Sequence, residues 1–326
     1  MRFDRRGRRA LAAVALALAP GCTLAEVSTP EGAERVVVEA VLRTDLAAQR
    51  VALHRSLGGD TSLAVPDASV EVVAPGGQVI GFGLAPSPAP CLNLRDTVTV
   101  EGRPARVSCY VSSGRGDEGR EFWVRPGESY ELRIRLADGG RIRGRTQVPG
   151  DFTLRSLNPR VWPPGARTGE CRIPSATPLE LVWSRAAGAW SYLADVRIFG
   201  LREALQDLGL ARIPDPLELT GLSISESDTT LVLPGELGVF ERFDYDRALL
   251  LALQNGLPAG VFAHVTIAAA DRNYVNAVRG GSFNPSGNVR ISSVVGDGVG
   301  VFGALNTLTL GVHVADEAGF PACRPR

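Results

Sequence analysis

Gly298-Val299-Gly300-Val301-Phe302-Gly303 carries the G-x-G-x-x-G spacing that lets a backbone turn approach a pyrophosphate. Such a site also needs a helix N-terminus to receive the phosphates and an acid about 20 residues further on. Here Ala304-Leu305-Asn306-Thr307-Leu308-Thr309 follows and reads as turn plus strand. The glycines therefore read as a bulge or as tight packing, and no cofactor is expected. His54, His264 and His313 are the only histidines, each alone in an apolar-patterned strand. A Ser-His-Asp triad assembles in space rather than in sequence, but no G-x-S-x-G elbow accompanies these residues. Glu241, Asp244 and Asp246 are close enough to suggest glycoside hydrolysis or Ca²⁺ binding. They lack the glycine and terminal glutamate of a calcium loop, and suit a helix N-terminus, where acids are favoured. Arg141, Arg143 and Arg145 alternate along one strand face. They could receive an anion, although a solvated edge that discourages strand addition is the simpler account. The chain contains no Lys, which excludes a Schiff-base lysine and a P-loop lysine. No catalytic or metal-binding residue is assigned, and the chain is read as non-enzymatic.

The cysteines carry more information. Arg2, Arg5, Arg6, Arg8 and Arg9 form a positive start, residues 10–19 are unbroken Ala, Leu and Val, and Pro20-Gly21-Cys22 follow. This is the layout of a secretory signal, and its apolar run is too short for a bilayer span, which takes about 20 residues. Leu18-Ala19-Pro20-Gly21-Cys22 resembles the lipobox of bacterial lipoproteins. The resemblance implies diacylglycerol on the Cys22 thiol and cleavage before it, with Ala19 standing where Leu is commonest. Arg5-Arg6 and Arg8-Arg9 leave twin-arginine export open, but the hydrophobic pair that usually follows is weak, which favours Sec export. Thr23 stands where an inner-membrane retention signal would place Asp, which points to the outer membrane. Cys91, Cys109, Cys171 and Cys323 remain, an even number in an exported chain, and so are expected as disulfides. Three pairings are possible. Proximity favours Cys91–Cys109, which leaves Cys171–Cys323. No C-x₂-C spacing supports a metal alternative.

The elements around these residues read as mainly β. Residues 1–22 hold five of the 35 Arg and one of the 35 acids, so the remainder is four charges negative, with no basic run to attract nucleic acid. Strands are expected at 35–42, 50–56, 68–73, 79–82, 130–136 and 141–148. The clearest is 130–136, where Tyr130, Leu132, Ile134 and Leu136 alternate with Glu131, Arg133 and Arg135 before an Asp138-Gly139-Gly140 turn. After a Pro-rich connector at 152–172, strands are expected at 179–183, 192–199, 217–224, 229–233, 260–269, 289–295, 298–302 and 308–314. Short helices are expected at 201–208, 246–255 and 272–278. Trp183 and Tyr192 are candidates to anchor the second core. The domain reading is a signal at 1–22, a tether at 23–34, a β-sandwich of Ig or transthyretin type at 35–149, and a second sandwich with short helical insertions at 150–326.

The order of motifs is itself informative: the lipobox, the VVVEAVL strand, RVALHRS at 50–56, PDASVEV at 66–72, VRPGESYEL at 124–132 and GDGVGVFGA at 296–304. Together these resemble the domain-of-unknown-function family four-two-four-nine of Gram-negative envelope lipoproteins. The resemblance spans most of residues 22–314 and is weakest through 150–260. The first domain also resembles transthyretin-like, carboxypeptidase-regulatory sandwiches. The family resemblance implies an outer-membrane accessory protein working beside a TonB-dependent transporter, and it supplies no catalytic residues. The Cys91–Cys109 excursion departs from the family pattern. Two other readings stay open: an envelope hydrolase with a spatially assembled site, and a passive structural lipoprotein of the cell surface.

Overall fold

Alternating burial along each strand gives the architecture. In the computed structural model of the chain, the described residues are 35–55, 64–91, 99–100, 103–104, 107–115, 121–155, 166–209, 213–223, 225–233, 247–282, 291–316 and 322–325. Cys22, the signal and tether regions, and Glu241, Asp244 and Asp246 lie outside them. The strands of the first half are β1 (Val36–Arg43), β2 (Arg50–Arg55), β3 (Ser69–Val73), β4 (Val79–Leu84), β5 (Thr99–Val100), β6 (Arg103–Pro104), β7 (Ser108–Ser112), β8 (Ser129–Arg135) and β9 (Arg141–Gln147). Those that follow are β10 (Thr168–Pro174), β11 (Leu179–Val182), β12 (Ser191–Phe199), β13 (Leu217–Leu222), β14 (Thr230–Leu233), β15 (Phe262–Ala270), β16 (Val294–Gly296), β17 (Gly298–Ala315) and β18 (Ala322–Pro325). Among the described residues the α-helices, α1 (Leu201–Ala204), α2 (Arg247–Leu253) and α3 (Arg272–Ser282), fall in the second half. The fold is mainly β and of sandwich type, as the strand periodicity predicts. No described helix is long and apolar enough to cross a membrane.

Among the described residues two large hydrophobic cores form, with a small third cluster of Ala268, Ala270, Val275 and Leu305 where α3 packs on the sheet. The first gathers Val38, Leu53, Ile80, Tyr110, Leu132 and Ile142 from residues 36–148, but it also takes Val294, Phe302 and Ala304. The second gathers Leu154, Leu181, Trp183, Val196, Val265 and Leu310. Trp183 meets Tyr192 edge-on at 5.4 Å, and Phe152 meets the same ring at 5.9 Å, so the expected aromatic anchor is present. The chain passes from the first core to the second near residue 150 and then returns through β16 and the start of β17.

β17 is the spine of the molecule. Its first half lies parallel to β1, from Val36↔Gly298 to Arg43↔Leu305. Its second half is antiparallel to β15 and parallel to β10, from Thr168↔Thr309 to Pro174↔Ala315. The hydrogen-bonded path β17-β1-β2-β7-β4-β3-β8-β9-β16 therefore leaves β17 and returns to the strand just before it, closing round the first core. β13-β12-β15-β17-β10-β18 forms the sheet of the second half, and the β11–β14 pair shares its core.

This continuity corrects the expectation of a turn at 304–307. Asn306 and Thr307 are polar, yet both are buried within the strand. Asn306 Nδ2 donates to the Gly150 carbonyl at 2.7 Å, and Asn306 Oδ1 accepts from Thr44 Oγ1 at 3.1 Å and Arg167 Nη1 at 2.7 Å. Thr307 N donates to Thr44 Oγ1 at 3.0 Å. These bonds fill the gap where β1 ends and β10 begins along the same edge of β17. Buried polar groups are tolerated when they are paired in this way. β10 likewise replaces the end of the expected connector, and the short β5–β6 pair lies within the expected Cys-flanked excursion, which ends as β7 begins.

Both disulfides form. Cys91–Cys109 has a sequence separation of 18 and Cys171–Cys323 one of 152. The second is a directly opposed pair in the β10–β18 ladder and joins the start of the second sheet to its last strand.

Candidate functional site

The residues singled out from sequence separate in space. Gly298 and Gly300 lie in the β1–β17 ladder, not at a phosphate loop. A Cβ on Gly300, whose φ is +133°, would overlap the Val38 carbonyl; one on Gly298 would overlap Ile142 and the Val36 carbonyl. One on Gly303 would crowd Tyr274 and Asp271 at the start of α3. The pattern is a packing device that lets β1, β9 and α3 approach the spine. His54 sits on β2, where burial pushes its pKa down against a small opposing effect from Glu39. Its Nδ1 is buried without a hydrogen-bond partner among the described residues. His264 and His313 lie exposed on neighbouring strands, opposite Gly311 and Phe262. His313 reaches Glu170 only at 4.0 Å and packs on the Phe262 ring at 4.9 Å. Among the described residues no three His, Cys, Asp or Glu side chains gather as a metal site.

Arg141, Arg143 and Arg145 do share one exposed face of β9, as expected. The edge account of them is corrected, because the outer edge of β9 is covered. β16 pairs with it from Val294↔Gly144 to Gly296↔Ile142. Asp297 N donates to the Arg141 carbonyl at 3.0 Å, and Asn273 Nδ2 donates to the Arg145 carbonyl at 2.8 Å.

A cleft of about 610 Å³ opens at the far end of this face. Ser129, Tyr130 and Glu131 of β8 and Arg145, Thr146 and Gln147 of β9 form one wall, and Trp190, Asp271, Arg272 and Asn273 form the other. The first wall comes from the first half, the second from the residue just before β12 and the strand–helix junction after β15. Asp271 fixes that junction. Its Oδ1 accepts from Tyr274 N at 2.9 Å, the N-cap bond of α3, and from Ala304 N of β17 at 3.1 Å. Its Oδ2 accepts from Thr146 Oγ1 of β9 at 2.5 Å. One carboxyl thus ties helix, spine and cleft wall. Burial pushes its pKa up, against those hydrogen bonds.

Trp190 follows the Gly188 turn, is 46% exposed, and is held by its N–H to the Ala270 carbonyl. The Arg272 guanidinium lies over its ring at 4.9 Å, a cation–π contact worth about 0.5–1 kcal/mol at an exposed site. Opposite, Glu131 accepts from Arg133 Nε at 2.9 Å and lies 3.7 Å from Arg145 Nη2. The Arg133 hydrogen bond and the surrounding guanidiniums hold its carboxyl below the usual range. A second cleft of about 410 Å³ adjoins the first through Ala74 and Tyr130, and is lined by Trp123, Arg125, Gln78 and Glu128. Tyr130 Oη accepts from Arg125 N at 2.9 Å, which fixes the divide between the clefts, and burial raises its pKa.

No protein-family model matches the chain, and comparison with curated proteins finds no match. Two exposed tryptophans, flat polar side chains and guanidiniums on a strand-built frame suit recognition of a ligand with both apolar and anionic parts. Sequence reasoning missed Trp190, Asp271 and Arg272. An Asp immediately before a helical pattern is an N-cap signal that could have found Asp271; the approach of Trp190 and Arg272 to β8 and β9 has no local signature.

Proposed function

We propose that the chain is an outer-membrane lipoprotein, held by diacylglycerol on Cys22, that binds a partner or ligand through the Trp190 cleft and catalyses nothing. The observation that carries this reading is the cleft itself, an aromatic and cationic recess whose walls are fixed by Asp271 from three elements. The two disulfides support an oxidising compartment such as the periplasm or cell surface. The resemblance to family four-two-four-nine supports an accessory role beside a TonB-dependent transporter. Labelled palmitate should enter the wild-type product and not Cys22→Ser. Crosslinking in outer-membrane fractions should recover one envelope partner with wild type and lose it with Trp190→Ala. Repeated recovery of the protein alone would count against the binding role.

A further inference from the structure

Outside the cleft, the outer face of the β3-β8-β9-β16 sheet carries a concentration of arginines. The register sets arginines directly opposite one another: Arg135↔Arg141 and Arg133↔Arg143, with Glu131↔Arg145 beside them. Like charges directly opposite on a ladder destabilise it, so this arrangement needs a reason outside the fold. Glu131 and Glu71 offset part of it; Glu71 lies across from Arg133 on β3. The guanidiniums of Arg135, Arg141 and Arg143 have no carboxylate oxygen within 4.0 Å among the described residues. The two acids at the hairpin end are engaged in turns, Asp138 with Gly140 N and Asp297 with Arg141 N. A concentrated cationic face thus sits on a chain that is negative beyond residue 22.

Two observations select the occupant. The first is apolar. Val295 of β16 stands directly opposite Arg143, on the same face, and is 70% exposed; Ile291, just before that strand, is 60% exposed. Aliphatic side chains set among guanidiniums fit the boundary between headgroups and acyl chains better than a free anion in water. The second is where the chain enters the fold. Val36 pairs with Gly298, one residue from the Asp297 that bonds Arg141, and with Arg55, which reaches Asp138 in the β8–β9 turn at 4.0 Å. The polypeptide coming from Cys22 therefore joins the fold beside the arginine ladder. The twelve residues of 23–34 reach at most about 40 Å.

We infer that this face rests on the anionic headgroups of the membrane that the Cys22 anchor enters, with Val295 dipping between them. That orientation rests on the lipoprotein reading; the affinity of the face for lipid does not. The Glu34–Arg326 unit, which contains both cores and both disulfides, is the material for the test. It should co-sediment with phosphatidylglycerol–phosphatidylcholine vesicles and not with phosphatidylcholine alone, and binding should weaken as salt is raised. Each arginine near an anionic surface contributes about fivefold, so Arg143→Gln should lower binding about fivefold and Arg141→Gln/Arg143→Gln about 25-fold. Val295→Asp should also lower it, and Arg172→Gln on the second half should leave it unchanged. The Arg→Gln variants relieve repulsion, so their thermal midpoints should hold or rise, and lost binding would not be lost folding. Equal binding to neutral vesicles, full binding by the double variant, or complete displacement by inorganic phosphate would overturn the inference. Failed palmitate labelling with intact vesicle binding would sink the anchor and spare the face; the converse would sink the face alone.

Discussion

Asn306 offers the sharpest test of how the two halves are joined. In Asn306→Ala the Gly150 carbonyl loses its donor and Arg167 loses a charge-assisted bond, while Thr44 keeps Thr307. An unsatisfied carbonyl costs about 1–3 kcal/mol. The Arg167 side chain is 27% exposed and keeps Asp151 at 2.9 Å, so its loss adds only about 1 kcal/mol once water is allowed to replace the bond. The expected destabilisation is about 2–4 kcal/mol, measured by urea unfolding with both disulfides intact. Asn306→Asp should do no better, because it keeps both acceptor roles but turns a carboxylate oxygen on the Gly150 carbonyl. A Thr44→Ala/Asn306→Ala double-mutant cycle should show coupling of about 1 kcal/mol. The variant should also broaden the transition or lower its slope, as the halves begin to unfold separately. A loss below about 1 kcal/mol with an unchanged slope would refute the claim that this residue locks β1, β10 and the spine together.

Gly300→Ala places a methyl against the Val38 carbonyl at a positive φ, and should cost more than about 3 kcal/mol or abolish folding, read by the yield of folded protein and thermal midpoint. Cys323→Ser opens a loop with a separation of 152 and should cost about 5 kcal/mol in the chain-entropy account, against about 3 for Cys109→Ser; paired denaturation curves compare them. Asp271 gives a pH test. Its folded pKa is raised above the unfolded value, so the folded state holds the proton more tightly, and its contribution to stability is fully present below the unfolded pKa and lost as pH rises through the folded one. Asp271→Asn keeps the Oδ1 cap, so wild type minus variant should fall across that window; a flat difference would show that the carboxyl titrates normally.

Local pattern was enough wherever one face of a strand is wet. Tyr130–Arg135 and Arg141–Gln147 could be read residue by residue, because alternation and the Gly139 turn are local properties. It failed where polarity is satisfied from afar. Asn306 and Thr307 look like a turn until Thr44, 262 and 263 residues away, supplies their partner. β10 was hidden by Gly169 and Pro174, which punctuate its sequence without preventing its pairing with β17 and β18. The arginine stripe on β9 was visible, but its meaning turned on whether that strand had a free side, and Val294–Gly296 lies some 150 residues downstream. The Trp190 cleft was invisible for the same reason, since its two walls meet only after the chain has crossed to the second core and come back.

That return sets the order in which the molecule can be completed. Val294, Phe302 and Ala304 finish a core begun at Val36, so the first 150 residues to be synthesised lack an essential part of their own interior. They must wait, partly open, until the last few dozen residues arrive. A fragment cut after Pro149 should therefore be a client for chaperones and proteases rather than a small stable domain, and any device that joins such a half to another protein would need to carry residues 291–316 with it.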